Sequence, residues 1–189
     1  MYLLNSTKIL EYQHQTYGAY LHIKNFSEKQ LKQTAYYFRL GPMYKLRNTN
    51  NWIELTIKKP VIEFKPGNYF IVQSFESFRL SEKVLGILGI STDVISLGLR
   101  LINAPFIDPC YDRALQFGLH NPLNETICIN FLDVIGKVCF FDISDTYPIK
   151  LDKSLEEKMG ERLKVENYPA DLYDPDTILA ADRDKEKNK

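Results

Sequence analysis

The chain has 189 residues, 44% of them hydrophobic and 13% aromatic, which suits one folded domain with or without an extension and excludes a mainly disordered chain. Lys and Arg total 24 and Asp and Glu total 24, so the net charge is zero; this argues against nucleic acid as a partner on bulk electrostatics and leaves only local basic patches. Cys110, Cys128 and Cys139 form no CxxC pair and suggest neither a disulfide framework nor a zinc site, and no apolar run reaches membrane-span length, so the expectation is a cytoplasmic protein with no membrane partner.

Residues 1–33 read as a helical or irregular N-terminal extension, in which SEKQL at 27–31 can cap and start a short helix. From residue 34 the character becomes β. YYFRL at 36–40 is strand-prone and is stopped by Gly41-Pro42. Alternation predicts strands over 52–57 and 61–64. KPGN at 65–68 is a turn signal, with strands expected over 69–73 and 75–80. Apolar runs at 84–90 and 97–102 lie on either side of residues 91–96, and 104–109 leads into a turn. Strands over 114–120, 125–130 and 137–143 complete the series. Short strands separated by turns predict a mainly β barrel or jelly-roll domain over 34–150. SLEEKMGERLK at 154–164 spaces Leu155, Met159 and Leu163 by four, so 151–189 reads as a C-terminal helix and tail ending in a solvated charge run. The abundance of Asn, Lys, Tyr and Ile suits a low-GC microbial source, a virus or a phage.

Several short segments carry chemistry in a fixed order. They are TAYYFRLG at 34–41, KPGNYF at 65–70, FESFRL at 75–80 and VLGILG at 84–89, then Ser91-Thr92, LGL at 97–99, IDPCY at 107–111, His120-Asn121 and IGKV at 135–138. This ordered set resembles the dCTP deaminase branch of the dUTPase-like family. The resemblance implies a distorted β jelly roll, to which the N- and C-terminal segments add short helices. It also implies a homotrimer with nucleotide sites between subunits, and Mg²⁺ carried by the triphosphate rather than held by protein ligands.

The resemblance also assigns candidate nucleotide-binding residues. Ser91 and Thr92 stand where the family has an Arg-Ser-Ser phosphate segment; hydroxyls and turn N–H groups can donate to phosphate, and they can equally bond the local backbone. The two family arginines correspond to Ile90 and to the Ile95-Ser96 region, so their bidentate phosphate contacts are lost. Asp108 matches the aspartate near the sugar 3′-hydroxyl and the reactive water, and Tyr111 matches the ring that packs on deoxyribose. Cys110 and Arg113 replace family glycines, and Arg113 offers a new positive charge. Lys137 replaces a glutamine that helps hold the nucleotide, and Tyr37 replaces an aspartate.

The catalytic glutamate of the deaminases falls on Gly118, which has no side chain to act as general base or acid. Gln116 and His120 lie two residues to either side, hence on the same strand face. The glycine-rich C-terminal arm of dUTPases is also missing, and ENYPADLYDPDTIL occupies 166–179 instead. The expectation is therefore a catalytically inactive member, a pseudoenzyme. It binds a nucleotide or nucleotide-derived signal through Ser91, Thr92, Asp108, Tyr111, Arg113, Gln116 and Lys137. The alternatives are a divergent active dCTP deaminase or dUTP diphosphatase, and an interaction scaffold with a vestigial pocket.

Overall fold

The computed structural model describes residues 1–56 and 58–145. The helix expected at 154–164 and the segment 166–179 lie outside the described residues. The strands are β1 (Tyr2–Leu3), β2 (Leu21–Lys24), β3 (Tyr36–Leu46), β4 (Ile53–Glu54), β5 (Val61–Phe64), β6 (Tyr69–Leu80), β7 (Val84–Ile90), β8 (Arg100–Ile102), β9 (Phe106–Ile107), β10 (Asp112–His120), β11 (Ile127–Asn130) and β12 (Val134–Asp142). Among the described residues two α-helices interrupt them, α1 (Ser6–His14) and α2 (Thr92–Ser96).

All the strand pairs are antiparallel. They form a ten-stranded sheet in the order β8-β10-β6-β3-β12-β7-β9, with β1 on β12, β2 on β6 and β4 on β3. β5 and β11 make a separate two-stranded sheet. The fold is thus mainly β and matches the expected jelly roll. Its core is aromatic and aliphatic. Phe38 meets Phe78 and Phe117 edge to face, and Tyr36, Phe64 and Phe140 are fully buried. Truncating a ring such as Phe38 to Ala would cost about 3–5 kcal/mol.

The strands depart from the expected pattern at several places. The two strands expected at 69–73 and 75–80 are one twelve-residue strand, β6, running through Ser74. The Ser74 hydroxyl bonds the Glu76 carbonyl at 2.6 Å and accepts from Leu115 N at 2.9 Å, so polarity there serves the ladder instead of breaking it. Likewise β3 does not stop at Gly41-Pro42. Its register against β6 shifts between Leu40 and Tyr44, so Pro42, which has no N–H to donate, falls within the irregularity. Gly41 is needed because a Cβ there would lie 2.7 Å from the Ser74 carbonyl oxygen. The strand expected at 52–57 is limited to the two residues of β4 among the described positions. The run at 97–102 is a turn through Gly98 (φ +80°) followed by β8.

The N-terminal segment carries more structure than its sequence signals. Asn5 caps α1 by accepting from Lys8 N at 2.9 Å, and Ile9 and Tyr12 form its buried face. The helix expected at 27–31 is a single 3-10 turn, Glu28–Gln30. Tyr2 and Tyr12 both donate to the buried carboxylate of Asp142 on β12, which ties α1 and β1 to the last strand. Among the described residues, no helix is long and apolar enough to cross a membrane.

Candidate functional site

Ser91 ends β7 and caps α2. Its hydroxyl accepts from Val94 N at 3.3 Å and donates to the Val134 carbonyl at 3.0 Å, and the residue is buried. Both capacities of that hydroxyl are therefore committed to backbone groups. Thr92, the first helical residue, is exposed, and its carbonyl accepts from the Ser96 hydroxyl at 2.9 Å. Lys137 on β12 lies between Tyr37 of β3 and Gly89 of β7. Its aliphatic stem crosses the bare Gly89, where a Cβ would sit 3.4 Å from Lys137 Cε. Ser91 N donates to the Ile135 carbonyl at 3.2 Å, so Ser91, Thr92 and Lys137 share one end of β7.

Asp108, Tyr111 and Arg113 gather elsewhere. Tyr111 N donates to the Asp108 carbonyl at 3.2 Å, closing a turn in which Cys110 takes φ +64°. The left-handed conformation associated with glycine is thus kept, with a cysteine carrying its cost. Asp108 is exposed. Tyr111 packs on the core and donates its hydroxyl to the Ala114 carbonyl at 2.8 Å; burial raises its phenol above the ordinary value. The Arg113 guanidinium lies 5.3 Å from the Tyr111 ring centroid. Ile107 pairs with Gly86, five residues before Ser91, so the two groups of candidates stand roughly 16 Å apart along β7 at about 3.3 Å per residue. Within one chain they do not converge.

Gln116, Gly118 and His120 form a third location, on the outward face of β10. Gln116 is opposite Gln73, Gly118 is opposite Ile71 and Ile102, and His120 is opposite Tyr69 and Arg100. Gly118 is not an empty position. A Cβ there would lie 2.2 to 2.5 Å from Tyr69 Cε2, Oη and Cζ, so the Tyr69 ring covers the glycine. Arg47 lies over that ring at 5.5 Å, and His120 meets it edge to face at 6.4 Å. Tyr69, Arg47 and Arg100 were not among the expected site residues. The signal that points to Tyr69 is Gly118 itself: a glycine inside a strand of bulky residues marks the close approach of another group.

No group of three or more His, Cys, Asp or Glu that could hold a metal ion occurs among the described residues. No family model and no curated protein matches the chain by sequence. Solved structures do match by shape. The 2′-deoxycytidine 5′-triphosphate deaminase of Agrobacterium tumefaciens superposes with a TM-score of 0.60 at 15% identity, over 85% of this chain and 53% of that one. The chain therefore spans about half the length of that enzyme. EIAV dUTPase matches at 12% identity over 64% of this chain and 96% of its own, with a TM-score of 0.41. A variant of Staphylococcus bacteriophage 80alpha dUTPase, solved with dUpNHpp, matches at 14% identity over 78% and 96%, with a TM-score of 0.45. The chain thus has the dUTPase-like fold found in dCTP deaminase.

Proposed function

We propose that this chain binds a nucleotide or nucleotide-derived ligand without deaminating it, in a site completed by a neighbouring copy of itself in a homotrimer. The observation that carries the reading is Gly118 beneath Tyr69. The position expected to hold a carboxylate has no side chain, and its neighbours on that face are Gln116, His120, Gln73 and Ile71. General acid–base chemistry needs an ionisable group within hydrogen-bond reach of the proton it moves; of these neighbours His120 is the one that carries such a group, and it is packed edge to face against Tyr69. In this reading Thr92, Lys137 and the α2 turn meet phosphate, while Asp108, Tyr111, Arg113 and Gln116 of the adjacent copy meet the rest of the ligand. Mg²⁺ would arrive with a triphosphate.

Two features support self-association. The candidate groups are separated within one chain. The outward face of β12 and β7 is also apolar, with cross-strand rows of Leu3, Phe141 and Leu85 and of Cys139, Ile87 and Phe106. Their neighbours Val138 and Phe140 are buried on the other face, so these strands are apolar on both sides, as strands covered twice are.

The test is a thermal-shift and mass-spectrometry screen of the purified chain with Mg²⁺. It covers ribo- and deoxyribonucleoside triphosphates, cyclic nucleotides and ADP-ribose-type ligands. Stabilisation with the ligand recovered unchanged is expected, since ligand binding to the folded state raises apparent stability. Conversion of dCTP to dUTP would overturn the reading. The second reading is a divergent dUTP diphosphatase, favoured by the exposed Asp108 carboxylate, which makes no hydrogen bond or ion pair among the described residues; release of diphosphate from dUTP would select it. No shift with any ligand selects the third, a protein-interaction scaffold that uses the apolar face.

A further inference from the structure

The surroundings of Tyr69 are those of a seated planar ligand. One part of the ring lies on the bare backbone of Gly118, close enough that even a methyl group there would collide with it. A guanidinium, Arg47, lies over the ring, and an imidazole, His120, meets it edge on. Arg100 stands opposite His120 across the β8–β10 pair. Neither Arg47 nor Arg100 has an ion-pair partner among the described residues, and Tyr69 itself is half-buried. A flat floor, a cation above and an edge-on ring are the contacts that a heterocycle bearing phosphate uses on a protein surface. Here a side chain of the protein makes them.

We infer that Tyr69 is the selectivity element of the site: its ring fills the place on Gly118 that a planar base would take, so the native chain holds phosphate-bearing ligands without reading their base. The inference rests on the nucleotide-binding reading for its ligand, but the closure of the Gly118 notch is a property of this chain's own residues. It predicts that shortening Tyr69 opens a ring-sized notch with Arg47 already placed to cover whatever enters.

The experiment measures binding of dCTP, dUTP, dATP and inorganic tripolyphosphate by calorimetry to the wild-type chain and to Tyr69→Ala, Tyr69→Leu and Tyr69→Phe. The wild type and Tyr69→Phe, which keeps the ring, should bind the three nucleotides alike. Tyr69→Ala and Tyr69→Leu should gain about tenfold for the pyrimidine nucleotides, with tripolyphosphate unchanged, as expected for one newly stacked base. Two shortened variants are used so that poor folding of one leaves the other to decide. The inference is overturned if neither gains base-dependent affinity. It is equally overturned if the wild type already prefers a pyrimidine nucleotide about tenfold and loses that preference on shortening, because the ring would then be a contact and not a plug. Failure of the wild type to bind any of the four probes would remove the nucleotide-binding reading, while a gain in the shortened variants would still establish the plug.

Discussion

Arg39 donates to the carboxylate of Glu76 twice, from its backbone N–H at 2.8 Å and from Nε at 2.7 Å, and Glu76 has no exposed surface. The same guanidinium donates to the Asn25 carbonyl at 3.0 Å and lies over the Phe75 ring at 4.9 Å. Arg39 thus joins β3, β6 and the end of β2 through one planar group, where the β3–β6 register shifts.

Replacing Arg39 with Met leaves that carboxylate buried without its cation, and the expected cost near neutral pH is about 3–5 kcal/mol. Burial already raises the Glu76 carboxyl above its ordinary value, against the pull of Arg39. The folded chain therefore keeps this proton to higher pH than the unfolded chain, and over that interval stability falls as pH rises. Arg39→Met removes the opposing pull and widens the interval upward. Urea denaturation of both chains in mildly acidic and in neutral buffer should show a smaller deficit at the acidic pH. An equal deficit at both would show that packing, and not charge, sets the loss.

Asp142 behaves in the opposite sense. Burial would raise its carboxyl, but donors from Ser144, Tyr12 and Tyr2 outweigh it and hold the group below its ordinary value of 3.8. The stability it contributes is present above that value and is lost as pH falls through the lower folded value. Tyr12→Phe removes one donor and should cost about 1–3 kcal/mol. It should also move the acid-unfolding midpoint upward. Circular dichroism across an acid titration checks this; an unmoved midpoint would mean that Tyr2 and Ser144 hold the carboxylate unaided.

Ser91 and Thr92 separate under alanine substitution. Ser91→Ala removes a helix cap and leaves the Val134 carbonyl without its donor, at a cost of about 1–2 kcal/mol. Thr92→Ala should be close to neutral in stability and should weaken any phosphate ligand found in the screen. Thermal melts with and without that ligand distinguish the two. Reversed effects would assign the ligand contact to Ser91.

Phe106→Lys places a charge on an apolar face, at a side chain 53% exposed in the single chain. If this face joins copies, light scattering should report a smaller assembly while far-UV circular dichroism stays that of the wild type. An unchanged mass would place the subunit contact elsewhere.

The sequence reading succeeds where short-range pattern and long-range packing agree. The KPGN turn at 65–68 is present, with Gly67 at φ +75° and Asn68 Oδ1 accepting from Lys65 N at 3.0 Å. The alternation at 61–64 and the run at 84–90 are β5 and β7. It fails where a distant strand decides the outcome. Gly41-Pro42 reads as a stop, yet β6 carries β3 past it. Helix α1 has only Ile9 and Tyr12 buried, too few to show a period, and it is secured by Asp142, far away in sequence. At the candidate site, the loss of the carboxylate at Gly118 is visible in the sequence. That a tyrosine covers the glycine is not, because the neighbour is set by the register of β10 on β6, which pairs His120 with Tyr69.

The ten-stranded sheet ends in β8 and β9, of three and two residues. A further strand added at either end would find almost no ladder to extend. The apolar rows of β7 and β12 point out from the sheet and not along it. Copies of this chain that met there would join broad side to broad side, without extending the strand ladder.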